Sequence, residues 1–170
     1  MKRRNILILS AIAALELALL PGNAVAQQKP LKDQLVGTWT PVSIQNVRPD
    51  GSKGDSFSPT PKGILMFDSN GHFSLQILRP DMPKYASNNR LQGTPEENKA
   101  TVQGVIASYG TYTVNEADKS YTMHMVGSSW PNYDGTDQKR TVTFNGDEMN
   151  LSFSGGSLGG NGNQVWKRMK

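Results

Sequence analysis

The sequence contains no cysteine and only two histidines among its 170 residues. Without cysteine the chain forms no disulfide, carries no thiol nucleophile and offers no thiolate to a metal ion. The two histidines, His72 and His124, are far apart in the chain, and neither has a second histidine at ligand spacing. We therefore predict no metal site and no cofactor. P-loop and H-E-x-x-H patterns are also missing, and no catalytic residue is predicted. A domain of this composition depends on core packing for its stability.

The first 26 residues have the organisation of a secretory signal peptide. Lys2, Arg3 and Arg4 form a positive region, residues 6–20 form an apolar run, and residues 24–26 read Ala-Val-Ala, an A-x-A cleavage pattern. Cleavage is expected after Ala26, which leaves 27–34 as a polar lead-in to one domain over 35–170. The alternative is an uncleaved membrane anchor, but the apolar run is short and contains Glu16.

Loss of the leader changes the charge of the chain. Three basic residues and one acidic residue are removed from totals of 18 and 14, so 15 and 13 remain, a net charge of +2. That excess is small, and the basic cluster at 167–170 is short, so no nucleic-acid partner is predicted. We expect a periplasmic or secreted protein without a stable membrane anchor after cleavage. The absence of cysteine fits a periplasmic protein better than a small extracellular module.

From residue 35 the pattern is that of an antiparallel β-protein. Short runs of β-branched and aromatic residues alternate with Gly, Asn, Asp and Pro. Asn70-Gly71 predicts a type I′ hairpin, and Asn145-Gly146 predicts another tight hairpin. Pro41, inside the first run, predicts a bulge or bend. The eight predicted strands cover about 37–47, 63–68, 72–79, 108–114, 120–126, 139–144, 148–153 and 163–168.

One helix interrupts this succession of strands. Thr94 has the character of an N-cap, Pro95 suits the first helical position, and two glutamates follow in the first turn. The helix is expected to continue to about residue 106. Eight antiparallel strands joined mostly by hairpins favour an up-and-down barrel whose interior holds side chains or one small ligand. A β-sandwich is the alternative.

The two ends of the chain resemble the lipocalin and wider calycin superfamily, through Gly37-x-Trp39 in the first strand and Trp166-Lys167-Arg168 in the last. The resemblance implies that Trp39 packs beneath a basic side chain of the last strand, Arg168 being the candidate and Lys167 the alternative. A cation over an aromatic ring stabilises such a closure. We therefore expect Gly37, Trp39 and Arg168 to serve the structure.

Over roughly residues 33–168 the chain resembles the bacterial lipocalin-like domain family more closely. This resemblance implies an all-β, eight-stranded lipocalin-like (calycin) barrel with one short helix between the third and fourth strands, and it implies no activity. The matching pieces are Leu35-Val36-Gly37-Thr38-Trp39, Gly63-Ile64-Leu65, Gly71-His72-Phe73-Ser74, Gly110-Thr111-Tyr112 and Asn115-Glu116-Ala117-Asp118.

Strand alternation places Arg79 and Arg140 on the same faces as apolar residues. Two guanidiniums inside or at the rim of an apolar lumen suit a carboxylate or phosphate with an apolar tail. The alternative is that both lie near strand ends and reach water. The tyrosines and methionines expected inward suit an adaptable pocket, with simple core filling as their alternative. The candidate ligand-binding residues are Arg79, Tyr112, Tyr121, Met123, Met125, Arg140 and Phe144.

These patterns predict an exported protein that binds or carries a small apolar or amphipathic molecule in a barrel lumen. Two alternatives remain open. One is an isomerase or cyclase that acts on such a ligand, by analogy with other barrels. The other is a protein–protein interaction module of the cell envelope that uses the loop containing Trp130 and Tyr133.

Overall fold

The computed structural model describes residues 29–48, 50–156 and 159–170. The predicted signal peptide lies outside the described residues. No helix in the described part of the chain has the length and apolar character needed to cross a membrane. The elements are α1 (Leu31–Leu35), β1 (Gly37–Val47), β2 (Lys53–Asp55), β3 (Lys62–Phe67), β4 (His72–Leu78), α2 (Pro95–Gly104), β5 (Val105–Asn115), β6 (Ser120–Ser128), a 3-10 turn (Pro131–Tyr133), β7 (Asp137–Asn145), β8 (Glu148–Ser154) and β9 (Asn161–Arg168).

The strands form a closed antiparallel barrel. They follow one another in the order β2-β1-β3-β4-β5-β6-β7-β8-β9, and β1 also pairs with β9, which closes the sheet on itself. The barrel proper is made of eight strands, because β2 pairs only with residues 45–47 of β1. The predicted eight-stranded barrel is confirmed, and closure leaves no place for the sandwich alternative.

β1 forms the seam of this barrel. It pairs with β9 along most of its length, from Trp39 to Val47, but with β3 only over Gly37 to Trp39. The register against β9 shifts between Pro41 and Ser43. The irregularity expected at Pro41 is therefore confirmed. Beyond this point β1 leaves β3, and its freed edge pairs with β2, a strand that the sequence did not predict.

The first helix was not predicted either. The segment expected to be a polar lead-in contains α1, whose Leu31 and Leu35 are buried. These two leucines are spaced i, i+4 and so share one face of the helix. The backbone N–H of Leu31 donates to Oε1 of Glu116 at 2.6 Å. One turn of helix carries little periodicity by itself, and contact with the barrel end stabilises it.

The second helix begins where the sequence predicts and ends earlier. The Thr94 side chain accepts from the N–H of Glu97, and the Glu97 carboxylate accepts from the N–H of Thr94, which completes a capping box. The helix ends at Gly104 rather than near residue 106, so the expected length is wrong. Val105 and Ile106 instead pair with β4 as the start of β5, and burial of Ile106 in the barrel outweighs continuation of the helix.

Both predicted hairpins form, and one has a different turn. β3 and β4 flank residues 68–71, but φ is positive at Gly71 (+95°) and not at Asn70. A type I′ turn requires positive φ at both central residues, so that assignment is wrong although the hairpin is confirmed. In the second hairpin Asn145 pairs with Glu148, leaving a two-residue connection.

The two ends of the barrel differ in their connections. The short turns 68–71, 116–119 and 146–147 lie at one end, together with α1, the start of β1 and the end of β9. We call this the closed end. The longer connections lie at the other end, which we call the open end, and they span 48–61, 79–104, 129–136 and 155–160.

Candidate functional site

The closed end is built around Trp39, which is completely buried. Its indole N–H donates to the carbonyl of Leu35 at 2.9 Å. The guanidinium carbon of Arg168 lies 4.0 Å from the centre of the Trp39 ring. Nη1 of Arg168 donates to the carbonyl of Val36 at 2.8 Å, and Nη2 donates to that of Gln34 at 2.5 Å. Arg168, rather than Lys167, therefore covers the tryptophan, and it also satisfies carbonyls at the end of α1.

Gly37 makes room for this arrangement. Its φ is +133°, and a Cβ built on it would lie 2.5 Å from Nη1 of Arg168. A side chain at this position would meet both backbone strain and the guanidinium. The Gly-x-Trp spacing thus serves the closure of the barrel, and the polar groups of this arrangement are paired.

A cavity lies inside the open end. Its volume is about 50 Å³, enough for a few water molecules. The lining is mostly apolar and includes three aromatic rings, and none of the described lining residues is acidic. The lining residues are Ile44, Gln45, Asn46, Ser56, Phe57, Leu75, Ile77, Ile106, Ser108, Met125, Tyr133, Arg140, Phe153, Gly156, Gly159, Gly162 and Gln164.

Arg140 is the charged residue of this cavity, and it is only 4% exposed. Its guanidinium carbon lies 4.0 Å from the centre of the Phe153 ring. Nε lies 3.1 Å from the sulfur of Met123, a weak acceptor. Nη1 is buried and has no hydrogen-bond partner. None of the ion pairs among the described residues includes Arg140, so a positive charge lies in the cavity without a counterion.

Phe153 is held in place by a glycine on the neighbouring strand. Phe153 of β8 is directly opposite Gly162 of β9. A Cβ built on Gly162 would overlap the Phe153 ring. The ring therefore occupies the position that a side chain at 162 would take, and from there it supports the Arg140 guanidinium. Phe153 and Gly162 together position the buried charge.

Gln164 supplies a second polar group. It is 6% exposed and lines the cavity. Its Oε1 accepts from the indole N–H of Trp166 at 2.9 Å. Because an indole N–H only donates, the amide oxygen must face Trp166, and the amide N–H₂ faces the other way. Gln164 thus offers donors on the side away from the indole.

Tyr121 is the neighbour of Arg140 across the sheet. The two residues are directly opposite each other in the β6–β7 pairing. Tyr121 is completely buried, and its hydroxyl has no hydrogen-bond partner. Burial raises the pKa of Tyr121, while the charge of Arg140 acts in the opposite direction and is the smaller influence. The interior therefore contains two adjacent polar groups that are not fully satisfied.

The predicted ligand-binding residues separate into three groups. Met125 and Arg140 line the cavity. Tyr112, Tyr121, Met123 and Phe144 do not; they lie in the core between the cavity and the closed end. The Tyr112 hydroxyl donates to the carbonyl of Asp68 at 2.7 Å, and Phe144 packs on Trp39 with ring centres 5.9 Å apart. For Tyr112, Tyr121 and Met123 the core-filling alternative describes what is observed, with the unpaired Tyr121 hydroxyl as the exception. Phe144 is partly buried and packs against the core.

Arg79 does not line the cavity; of the two expected positions, inside the lumen or at its rim, it takes the rim. β4 ends at Leu78, so strand alternation does not extend to Arg79. Its side chain is exposed and pairs with Asp81, with Nη2 2.9 Å from Oδ2. The alternative, that the side chain reaches water near a strand end, holds for Arg79 but not for Arg140.

Two residues that line the cavity beside Arg140, Phe153 and Gln164, were not predicted from the sequence. Strand alternation places Phe153 on the buried face with Met149 and Leu151, and it places Gln164 with Trp166. The same rule that selected Arg140 would have found both. Phe57 and Tyr133 come from loops, for which no such rule exists.

The loop containing Trp130 and Tyr133 covers the cavity. Tyr133 is buried at 8% exposure and lines it, whereas Trp130 is 36% exposed. Their rings meet edge to face with centres 4.6 Å apart. This arrangement suits a cover over the cavity better than an open aromatic patch for a protein partner.

The connection from β8 to β9 contains a G-x-S-x-G spacing at residues 155–159. In hydrolases this pattern marks a sharp turn from a strand into a helix, with the serine as nucleophile. Here it joins two antiparallel strands, so the required context is missing. The described parts of the chain also bring together no three His, Asp or Glu side chains that could hold a metal ion.

Comparison with solved structures finds barrels of low sequence identity. A lipocalin-like protein from Bacteroides uniformis superposes with a TM-score of 0.46 at 14% identity, over 79% of this chain and 98% of that one. A redesigned β-barrel gives a TM-score of 0.43 at 13% identity, over 83% of this chain and 96% of that one.

Sequence comparison is more specific. The 4'-hydroxy-3'-methoxypropiophenone carrier protein of Aspergillus oryzae is 35% identical over 85 residues, which cover 46% of this chain and 77% of that protein. The family model for the lipocalin-like domain matches residues 36–169, which span all eight strands of the barrel. The chain belongs to the lipocalin-like domain family.

Proposed function

We propose that this protein binds and carries a small amphipathic molecule in the open end of its barrel. The observation that carries the proposal is the guanidinium of Arg140, buried in an apolar cavity with an N–H that lacks a partner. Burial of an unpaired charge is costly, and such a group is retained where it serves binding or catalysis. An apolar cavity with a few convergent polar groups is the usual form of a small-molecule site.

The similarity to a carrier protein supports the same function. The relative from Aspergillus oryzae is named as the carrier of 4'-hydroxy-3'-methoxypropiophenone, an aromatic ring that bears polar oxygen substituents. A molecule of this kind is amphipathic and suits the aromatic and aliphatic lining of the cavity. It also needs more than the observed 50 Å³, so we expect the loops that carry Phe57 and Tyr133 to move outward when it binds.

The donors in the cavity favour binding over catalysis. An isomerase or cyclase needs a group that accepts and returns a proton. Arg140 and Gln164 hold donors toward a ligand, and no carboxylate or imidazole is present among the described lining residues. Transport without chemical change is therefore the function that the cavity supports best.

Ligand binding is tested with the purified protein and 4'-hydroxy-3'-methoxypropiophenone, followed by calorimetry and by the increase in Tm. We expect saturable binding at one site per chain. Arg140→Met should weaken it, and the matched change Arg79→Met should leave it unchanged because Arg79 lies outside the lumen. If neither this compound nor any component of a lipid extract binds, the carrier function is ruled out.

We also propose that the protein is exported. The charged region, apolar run and Ala-Val-Ala pattern of residues 1–26 carry this proposal. The full-length gene should yield a product in the periplasm or medium whose N-terminal residue is Gln27. A product that keeps Met1 and stays in the cytoplasm would contradict it.

A further inference from the structure

We infer that the ligand of this barrel binds as an anion, with its negatively charged oxygen on the unpartnered N–H of Arg140. The inference rests on the proposed carrier function and adds the charge state of what is carried. The class of ligand is an acid on an apolar body, either a carboxylate or an ionised phenol.

The first step in the argument is the charge balance of the cavity. An arginine guanidinium keeps its positive charge in proteins. Arg140 is 4% exposed, and the cavity contains no acidic side chain among its described lining residues. A neutral ligand could accept a hydrogen bond from this group but would leave its charge without a counterion. An anion would supply the missing counterion in a medium where charges interact strongly.

The second step is the direction of the hydrogen bonds. Nη1 of Arg140 is a donor without a partner. The amide of Gln164 also presents N–H groups away from Trp166, because its oxygen is taken by the indole. Both groups require an acceptor, and a carboxylate or phenolate oxygen is an acceptor without a hydrogen of its own.

The third step is the position of the Arg140 guanidinium, which packs inside the cavity instead of extending into solvent. The guanidinium stacks on Phe153 at 4.0 Å, and that ring lies over Gly162. At the rim, by contrast, Arg79 is exposed and already neutralised by Asp81. Arg140 is therefore stacked on a ring with a buried Nη1 donor left unpaired, and an anion that enters as the lining side chains move apart would pair with it.

The test compares ligands of similar structure and different charge. 3-Phenylpropanoate and 3-phenylpropanamide form the carboxylate pair. 4'-Hydroxy-3'-methoxypropiophenone and its methyl ether, which cannot ionise, form the phenol pair. We expect the ionisable member of at least one pair to bind roughly 10- to 100-fold more tightly than its neutral partner, as for one charged hydrogen bond. The pair that shows the preference identifies the class of acid.

The phenol pair has a second readout. An ionised phenol conjugated to a ketone absorbs at longer wavelength than the neutral phenol. If this compound is the class bound, the long-wavelength band appears on binding at a pH where the free compound is still neutral. The same measurement on Arg140→Met should show no such band.

The variants assign the preference to its residue. Arg140→Met should remove the difference between the members of a pair, and Arg140→Lys, which keeps the charge but loses the planar fork, should retain part of it. Equal affinity within both pairs in the unmodified protein overturns the inference and leaves the carrier function standing. A preference that survives in Arg140→Met also overturns it. If no member of either pair binds and no other apolar probe does, the carrier function fails as well.

Discussion

The two ends of the barrel each hold an arginine over an aromatic ring, half-buried at Arg168 and buried at Arg140, and the two arginines differ in what surrounds their N–H groups. Arg168 lies 4.0 Å above Trp39, and Arg140 lies 4.0 Å from Phe153. The first donates to the carbonyls of Gln34 and Val36. The second keeps a buried N–H without a partner. An arginine stacked on an aromatic ring therefore closes the barrel at one end, and at the other end it has a hydrogen-bond donor without an acceptor.

Stacking on an aromatic ring therefore does not distinguish the structural role of Arg168 from the ligand-binding role proposed for Arg140. Hydrogen-bond satisfaction is what differs. A guanidinium whose Nη atoms both donate to carbonyls contributes to folding, whereas one with a buried donor left unpaired lowers the stability of the folded state and is available to a ligand. Substitutions at the two ends, taken in order of decreasing effect, test this comparison.

The largest effect is expected at Trp39. Trp39→Ala removes a completely buried ring from the closed end, which should reduce the free energy of unfolding by about 3–5 kcal/mol. That loss is a large part of the total stability of an ordinary domain, so we expect the variant to fold poorly or not at all. Chemical denaturation followed by circular dichroism measures it.

The matched control is Trp130→Ala, a tryptophan at the open end that is 36% exposed. It should cost much less. Equal losses in the two variants would contradict the assignment of the closed end to stability.

The most direct comparison replaces the arginine at each end with methionine. Arg168→Met leaves two carbonyls without their donors and removes the cation from Trp39, which should cost about 2–4 kcal/mol. Arg140→Met removes a buried charge that has no counterion, so the ligand-free protein should be equally stable or more stable, by up to about 2 kcal/mol. Urea denaturation of both variants without ligand shows whether each substitution lowers or raises the free energy of unfolding. Similar destabilisation by both would show that Arg140 is a structural residue.

Gly37 provides a smaller change at the closed end. Gly37→Ala places a Cβ 2.5 Å from Nη1 of Arg168 at a φ of +133°, and we expect a cost of about 1–3 kcal/mol. Gly135→Ala is its control, since Gly135 also has a positive φ (+72°) but a Cβ added there would have no atom within 4 Å. Thermal unfolding of the two variants separates backbone strain from displacement of the guanidinium. An equal loss in both would mean that Arg168 is not displaced.

The smallest effect concerns the pH dependence of Tyr121. Burial raises the pKa of this hydroxyl above the ordinary value of 10.0, so the folded protein holds the proton more tightly than the unfolded chain. The stability that results is complete below about pH 10 and is lost as the pH rises beyond it. Tyr121→Phe should therefore lose less stability than the unmodified protein between pH 8 and pH 11.

At neutral pH, Tyr121→Phe also removes an unpaired buried hydroxyl, which should change the free energy of unfolding by no more than about 1 kcal/mol. The control is Tyr109→Phe, at an exposed position (58%). If both variants follow the same pH curve, Tyr121 does not titrate in the way its burial requires.

The strands, the hairpins and the start of the second helix were predictable because they depend on repeated local signals, and the family resemblance implied the closed barrel. Alternation of residues along each strand, the glycine-containing hairpins, the Thr94 cap and the bulge at Pro41 are all readable within a few residues. The family resemblance added the contact of Trp39 with Arg168. α1 and β2 were missed because each is very short, and contacts with the rest of the barrel, rather than local preference, stabilise them.

The site was only partly predictable. Alternation correctly placed Arg140 inward, and it failed for Arg79 because the strand ends one residue before it. Strand alternation also places Phe153 and Gln164 on inward faces, although neither was predicted. The loop residues Phe57 and Tyr133 reach the cavity through paths that no periodic pattern describes.

The sequence by itself predicted the strands and hairpins, because strand pattern and turn chemistry are local properties, and the family resemblance implied that they close into an eight-stranded barrel with Trp39 at one end. Only the tertiary structure decided which arginine finds hydrogen-bond partners for its Nη atoms. Hydrogen-bond partners such as the carbonyls of Gln34 and Val36 lie more than 130 residues from Arg168 in the chain, and their presence there and absence at Arg140 follow from packing alone. That distinction separates the end that holds the molecule together from the end that is available to a ligand.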